Sequence, residues 1–422
     1  MPQYRVIKMI KNKYIFSLTI IGILYFVFGF ITWLNNQLIP FLKTACQLSD
    51  TQAYLVTFAF YISYFVMALP SAGILKRTGF AKGMSLGLLV MAIGCIIFIP
   101  AALSRNYMVF LLGLFVQGTG LSLLQTSANP YVTILGPIES ATQRMCIMGL
   151  FNKIAGIIGI YIFSKALLSD FDLVSKNIGT ATGLEQTELL NELANRIVLP
   201  YIVMVLGLVI IAIIVYLAKL PNINSSENSA EYNTEKKTKL PTYLWFGVLA
   251  LFFYEGAEVM AIDTLVPYGK SIGLSDVTYS KIGMFALAAL LVGYISTIIL
   301  IPKYITQRKA LVYCSVISLV FVCVALFTTG ITSLIFLILL SFSNAVMWGA
   351  IWALAIDKLG KHTSFASALL IMAIVGGALI PLLYGAMSDM LRSTQIPYVI
   401  FLPCYLFILY YALRGYRLSK EK

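Results

Sequence analysis

The sequence predicts an all-α membrane protein whose twelve transmembrane helices form two six-helix bundles, and three observations carry that reading. Hydrophobic residues make up 60% of the chain and charged residues only 11%, with a mean hydropathy of +0.90. A soluble globular chain carries about 25% charged residues. Apolar stretches long enough to cross a bilayer, about 20 residues each, recur along its whole length. A single long polar stretch on the side facing the N-terminus, residues 220–241, falls near the midpoint of the 422 residues and divides the apolar stretches into two sets.

In order, the first set is read at 14–42, 51–75, 82–103, 107–135, 142–168 and 197–219. The opening stretch is too long and too evenly apolar for a signal-peptide core and is read as a retained helix. Between the second and third stretches lies Gly73 to Gly83, with Lys76, Arg77 and Lys82 beside glycines, as a tight basic turn requires. The fourth closes on Leu135-Gly136-Pro137, and the fifth carries Lys153 near its middle. The external stretch 169–196 is read as containing a short amphipathic helix. The second set is read at 242–269, 278–301, 309–329, 332–357, 363–390 and 395–414. These runs are continuously apolar rather than alternating, which favours helices over the strands of a barrel. The domain plan is therefore an N-terminal bundle over 1–219, a linker over 220–241 and a C-terminal bundle over 242–422. A weak repeat supports two related halves: Leu135-Gly136, Ser140 and Met148 recur as Leu359-Gly360, Ser364 and Met372 at a constant offset of 224 residues. Repeats of this kind place a transported ligand near the bilayer midplane.

The net charge of +13 is assigned to topology rather than to nucleic acid. With the N-terminus inside, 21 of the 30 Lys and Arg residues fall on the cytoplasmic side, Arg144 among them, and 8 on the other. That bias places both termini in the cytoplasm. Six scattered cysteines without a CxxC pair imply neither a disulfide framework nor a metal site, and no cofactor is expected. Asn224-Ser225-Ser226 fits a glycosylation pattern but lies in the inside linker.

Charges at membrane depth cost roughly 2.5–3.5 kcal/mol or more and usually mark function. Four are present: Lys153 in the first half, and Glu255, Glu258 and Asp263 in the second. Glu255 and Glu258 lie three apart on one helix and share a face, where two ionised carboxylates repel unless a proton or a cation intervenes. Lys153 is the candidate cation, and Asp263 lies within about 80° of Glu255 on the wheel. A static ion pair between the halves is the competing reading. Amides suited to hydroxyl groups are Asn35, Asn36, Gln125, Asn129, Asn152 and Asn344, with Trp33, Tyr61, Trp348, Trp352 and Tyr384 as aromatic platforms. His362, the one histidine, falls at a cytoplasmic helix start and is read as a loop residue.

The Gly73 to Gly83 turn resembles the loop between helices two and three of the major facilitator superfamily. A closer pattern runs through Leu34-Asn35-Asn36-Gln37-Leu38-Ile39-Pro40, Leu124 to Pro137, Phe151-Asn152, Gly256-Ala257-Glu258-Val259, Leu359 to Ser364 and Ala373 to Ala378. It resembles the fucose:proton symporter family, which includes bacterial L-fucose and glucose/galactose permeases. The resemblance implies an acid of the first helix at the position of Asn36 and one of the fourth at Gln125, both neutral amides here. Glucose/galactose members share the Gln at the second position, while Asn36 departs from both patterns. The family's sugar-contacting Asn matches Asn152, a Gln three residues earlier is Gly149, and the small residue after that Asn is Lys153.

The function so implied is a secondary active transporter, not an enzyme, taking up a monosaccharide by alternating access in a bacterial cytoplasmic membrane. Glucose or galactose leads, then fucose, and symport with a proton or sodium is expected through Lys153, Glu255, Glu258 and Asp263. Substrate contacts are expected from Asn35, Asn36, Gln125, Asn129, Asn152, Trp348 and Tyr384, in a monomer whose partners are the sugar, the ion and the lipid bilayer. The alternatives are an amino-sugar symporter of N-acetylglucosamine type, an exporter of apolar cations, and a non-transporting sugar sensor.

Overall fold

The computed structural model describes residues 2–48, 50–167, 171–218, 220, 240–274 and 282–418, and among these every regular element is a helix. The linker 220–241 lies largely outside the described residues. Among the described residues ten helical stretches are long and apolar enough to cross a membrane. One of them, Phe58–Ser104, spans 47 residues and turns at Gly79, whose φ of 75° lies in the left-handed region that only glycine adopts freely. That bend makes two spans of one and falls inside the basic turn. The Ala141–Leu167 helix has 27 residues, ample to cross, while Arg144, Lys153 and Lys165 lower its hydropathy. With these two the expected twelve are complete. Two short helices, Phe171–Thr180 and Gly183–Asn195, occupy the stretch read as amphipathic, the second burying Leu190, Leu193 and Ala194.

The chain divides into two compact units. One comprises Met1–Ala128 with Phe151–Asn222, the other Asn129–Leu150 with Ile223–Lys422. In the first, Ser85 donates to the Ala212 carbonyl at 2.8 Å and Phe98 stacks on Tyr201 at 4.4 Å between ring centres. In the second, Thr306 caps the Gln307–Phe327 helix by accepting from the Lys309 amide, and Ser318 shares a 2.7 Å hydrogen bond with Ser343. The helix Gly330–Asn344 breaks at Ala345 and Val346 before Met347–Ile356. The sequence plan put 129–150 with the N-terminal bundle, whereas this segment packs with the second unit. The repeat has a structural counterpart: a 3₁₀ turn, Ile138–Ser140 or Gly360–His362, precedes Ala141–Leu167 and Thr363–Met372 alike.

Arg144 counted among the cytoplasmic charges, yet its side chain is buried. Its guanidinium donates to the carbonyls of Val132, Thr133, Gly136 and Pro137 and to the Ser140 hydroxyl, at 2.6 to 3.3 Å. Val132 and Thr133 end the Tyr107–Ile134 helix, where the last carbonyls lack intrahelical partners and the helix dipole favours a cation. Only the planar guanidinium has donors enough for such a turn. Arg144→Ala is therefore expected to cost roughly 3 kcal/mol by leaving several buried carbonyls without donors. The check is thermal unfolding of the purified protein in detergent, with Arg144→Lys recovering part of the loss.

Candidate functional site

Within the first unit the helices Pro2–Ala45 and Ala141–Leu167 approach backbone to backbone. A Cβ on Gly29 would lie 2.3 Å from the Asn152 carbonyl oxygen and 2.7 Å from its Nδ2. This contact seats Asn152, 9% exposed, with Nδ2 donating to the Tyr25 carbonyl at 3.5 Å. One turn further, a Cβ on Gly156 would lie 2.4 Å from Trp33 Cδ1, so the indole rests where a side chain is missing. Above that indole sits Lys153, its Nζ 5.0 Å from the ring centre. The ring's negative face attracts the ammonium and supplies part of what water would have given it. Gln125, 8% exposed, donates from Nε2 to the Tyr64 hydroxyl at 3.2 Å, and Tyr64 meets Phe60 edge-on at 5.6 Å. Side chains of Asn35 and Asn36 lie outside the described residues.

Within the second unit Glu255 and Glu258 are half-buried on Thr242–Asp263. The Glu258 carboxylate accepts a hydrogen bond from Tyr254, one turn back on the same face. The Tyr254 ring lies 6.2 Å from Trp348, which stacks on Trp352 at 5.6 Å and 27°. Asn344 Oδ1 accepts from the Tyr405 hydroxyl at 2.9 Å. Its Nδ2 and the Trp352 Nε1 are buried donors that find no acceptor among the described residues. Asn129, also in this unit, is buried near the end of Tyr107–Ile134.

Not every predicted site residue joins these groups. Asp263 is exposed at the end of its helix, five residues past Glu258 and so about 140° around from it. Tyr384 donates its hydroxyl to the Thr394 carbonyl at 2.6 Å and sets its ring 5.1 Å from Tyr398, tying down the turn after Gly376–Leu391. His362 closes a 3₁₀ turn before the Thr363–Met372 helix. Among the described residues no group of His, Cys, Asp and Glu could hold a metal. Three tyrosines were missed in the sequence. Tyr254 was legible as the residue four before Glu258, but Tyr64 and Tyr405 reach their amides across 61 residues each, a spacing without any periodic signal.

The model of the Major Facilitator Superfamily matches residues 21–381. A glucose/galactose transporter of Brucella abortus is 33% identical over 409 residues, covering 96% of this chain and 95% of its own. The L-fucose-proton symporter of Escherichia coli is 27% identical, over 96% of this chain and 94% of its own. FucP, a Major Facilitator Superfamily transporter solved in the outward conformation, superposes with a TM-score of 0.84 at 26% identity, covering 95% of this chain and 98% of its own.

The helix contact at Gly29 gives a direct expectation. Gly29→Ala should lower the unfolding temperature in detergent, since overpacking costs about 1–3 kcal/mol. Gly73→Ala, where a Cβ would meet nothing within 4 Å, should leave it unchanged.

Proposed function

The chain belongs to the Major Facilitator Superfamily, and from that footing we propose that it takes up a monosaccharide, glucose or galactose first and L-fucose next, by alternating access. The observation that carries this is the two buried amides of the first unit, Asn152 bound to the Tyr25 carbonyl and Gln125 to the Tyr64 hydroxyl, with the indole of Trp33 packed on Gly156 one turn from Asn152. Sugars are recognised by amides that both donate and accept toward vicinal hydroxyls and by aromatic faces against the CH surface of the ring. Trp348 and the open donors of Asn344 and Trp352 offer the same chemistry in the second unit. Asn35, Asn36 and Asn129 belong to the proposed substrate set. Names of relatives agree, one a glucose/galactose transporter and another an L-fucose-proton symporter.

Coupling is assigned to Lys153, Glu255 and Glu258. Asn36 and Gln125 cannot titrate, so a proton carried with the sugar needs another acceptor. Glu258, already engaged by the Tyr254 hydroxyl, is an ionisable group at membrane depth and supports that role. Sodium is the other ion that this carboxylate suits. Asp263, exposed at the end of its helix, is the outlying member of the proposed coupling set, and Tyr384, whose hydroxyl donates to the Thr394 carbonyl, that of the substrate set. The multi-pass protein is placed in the cytoplasmic membrane of a bacterium, as a monomer, with both termini inside on the strength of the 21-to-8 charge bias.

Proteoliposomes loaded with unlabelled glucose, galactose, fucose, mannose or N-acetylglucosamine should show counterflow of a labelled sugar with at least one of them. No exchange with any of the five in folded protein overturns the reading. Asn152→Ala and Gln125→Ala should each weaken sugar binding about tenfold, the loss of one hydrogen bond to a hydroxyl. Glu258→Gln and Lys153→Met should keep counterflow, which moves no net ion, and lose accumulation against a gradient. Equal loss of both activities removes the coupling assignment.

A further inference from the structure

At one end of the second unit two guanidinium groups are held at a single ring. The 3₁₀ turn Gly415–Arg417 follows the Phe401–Leu413 helix and packs against Thr242–Asp263. Arg308, in the first turn of Gln307–Phe327, and Arg417 place their guanidinium carbons 5.0 and 5.3 Å from the centre of the Tyr416 ring. Each is anchored through its Nε. Arg308 Nε donates at 3.1 Å to the carbonyl of Ala412, in the last turn of Phe401–Leu413, and Arg417 Nε donates to the Tyr416 hydroxyl. A guanidinium has five N–H donors, so the four on the Nη atoms of each have no acceptor among the described residues.

Two cations at one ring repel, and among the described residues no carboxylate forms an ion pair with either of them. Lys309 and Arg414, close to them in the chain, are exposed and add charge of the same sign. The charge bias across the membrane accounts for basic residues at this end, but not for two forks fixed by their Nε atoms at one phenol. What the arrangement lacks is a negative group with several acceptor oxygens.

The turn is also seated on an aromatic column. A Cβ on Gly415 would lie 3.1 Å from Tyr411 Cδ2 and 3.5 Å from Phe246 Cβ. From Phe246 the column passes to Phe407, parallel to it at 6.0 Å between ring centres, and then to Phe253 at 5.2 Å, with Tyr410 5.8 Å from Phe246 on its flank. Phe246 and Phe253 are seven residues apart on one helix, so the column runs about 10 Å along it. Leu249, Tyr410 and Leu413, each three residues beyond a column member on its own helix, are exposed and continue the apolar face. Basic donors at the end of an apolar groove match the two parts of a phospholipid, a phosphate and an acyl chain. By the charge bias this end faces the cytoplasm, where the leaflet carries anionic lipid.

We infer that Arg308, Tyr416 and Arg417 form a binding site for an anionic phospholipid, with the two guanidinium forks on its phosphate and the column of Phe246, Phe407 and Phe253 along one acyl chain. Arginine pairs with phosphate through parallel, charge-assisted hydrogen bonds, which suits the open Nη donors. A head carrying an amine would add an ammonium to the cations of Arg308, Lys309, Arg414 and Arg417, so the site favours a head without one. The inference rests on the charge bias and not on the identity of the transported sugar.

The test is native mass spectrometry of the full-length protein in detergent, titrated with dioleoylphosphatidylglycerol or dioleoylphosphatidylethanolamine. The first phosphatidylglycerol should bind about fivefold tighter than phosphatidylethanolamine, and Arg417→Gln should remove that preference. Arg417 is the informative position because its side chain engages only the Tyr416 phenol, whereas Arg308→Gln also uncovers the Ala412 carbonyl. Lys82→Gln, which takes one cation from the same side of the membrane by the charge bias, should keep the preference. Arg417→Lys, which retains the charge and loses the fork, should lose part of it, and full retention overturns the role given to the fork. Absence of the preference in the unaltered protein, or equal loss in Arg417→Gln and Lys82→Gln, overturns the site. Displacement of bound phosphatidylglycerol by inorganic phosphate at tenfold excess would assign the cluster to a free anion and overturn the lipid.

Discussion

Inside a bilayer a polar group has no water to fall back on, so each one at membrane depth must be answered by another part of the protein or by a ligand. This constraint organises the chain more than any single packing contact does. Arg144 answers carbonyls at the end of Tyr107–Ile134, Tyr64 answers Gln125, Tyr405 answers Asn344, and Tyr254 answers the Glu258 carboxylate. Serines and threonines are answered more cheaply still, by the carbonyl one turn back, as Ser127, Thr133 and Ser367 show. Asn344 Nδ2 and Trp352 Nε1 are buried donors still without an acceptor among the described residues, open to a ligand in the second unit.

Glycine enters through the same constraint. Lys153 sits over the face of Trp33 near the middle of an apolar helix, and Trp33 lies there because Gly156 has no side chain. Asn152 reaches the Tyr25 carbonyl because Gly29 lets two backbones meet. Small residues at helix contacts are how membrane helices gain packing without a hydrophobic drive between them. Here they also set the height and direction of the two polar side chains that matter most in the first unit.

The fold was legible because lipid leaves few choices: continuous apolar runs of spanning length mean helices, and a basic Gly-containing turn marks where a long one bends. Even so, hydropathy alone does not isolate Ala141–Leu167, which reads as a span because its apolar run is long enough to hold Lys153 at the centre. The site was legible only in part. Residue type and motif pointed to Asn152 and Gln125, and spacing pointed to Glu255 with Glu258. Arg144 was not legible as a cap, since a cytoplasmic arginine and a buried one look alike in a sequence. Nor was the task of Tyr384, whose hydroxyl closes a turn ten residues on. Periodicity places Asp263 within reach of Glu255 but says nothing of where the helix stops, and it stops there.

Neutral amides at Asn36 and Gln125 change what coupling can mean for such a chain. Where acids line the sugar site, protonation and substrate binding act on the same groups and one cannot be altered without the other. An amide binds a hydroxyl equally well across the whole pH range, so the first unit can hold its ligand with no proton in place. On the proposed reading, ion dependence comes from groups that do not themselves recognise the sugar: Lys153 over its indole, Glu258 under its phenol, and Glu255 on the same helix. Differential interaction of these charges with the two states of the cycle, rather than contact with substrate, is what lets an ion gradient do work on the sugar. On that reading recognition and energisation are separable properties of this chain.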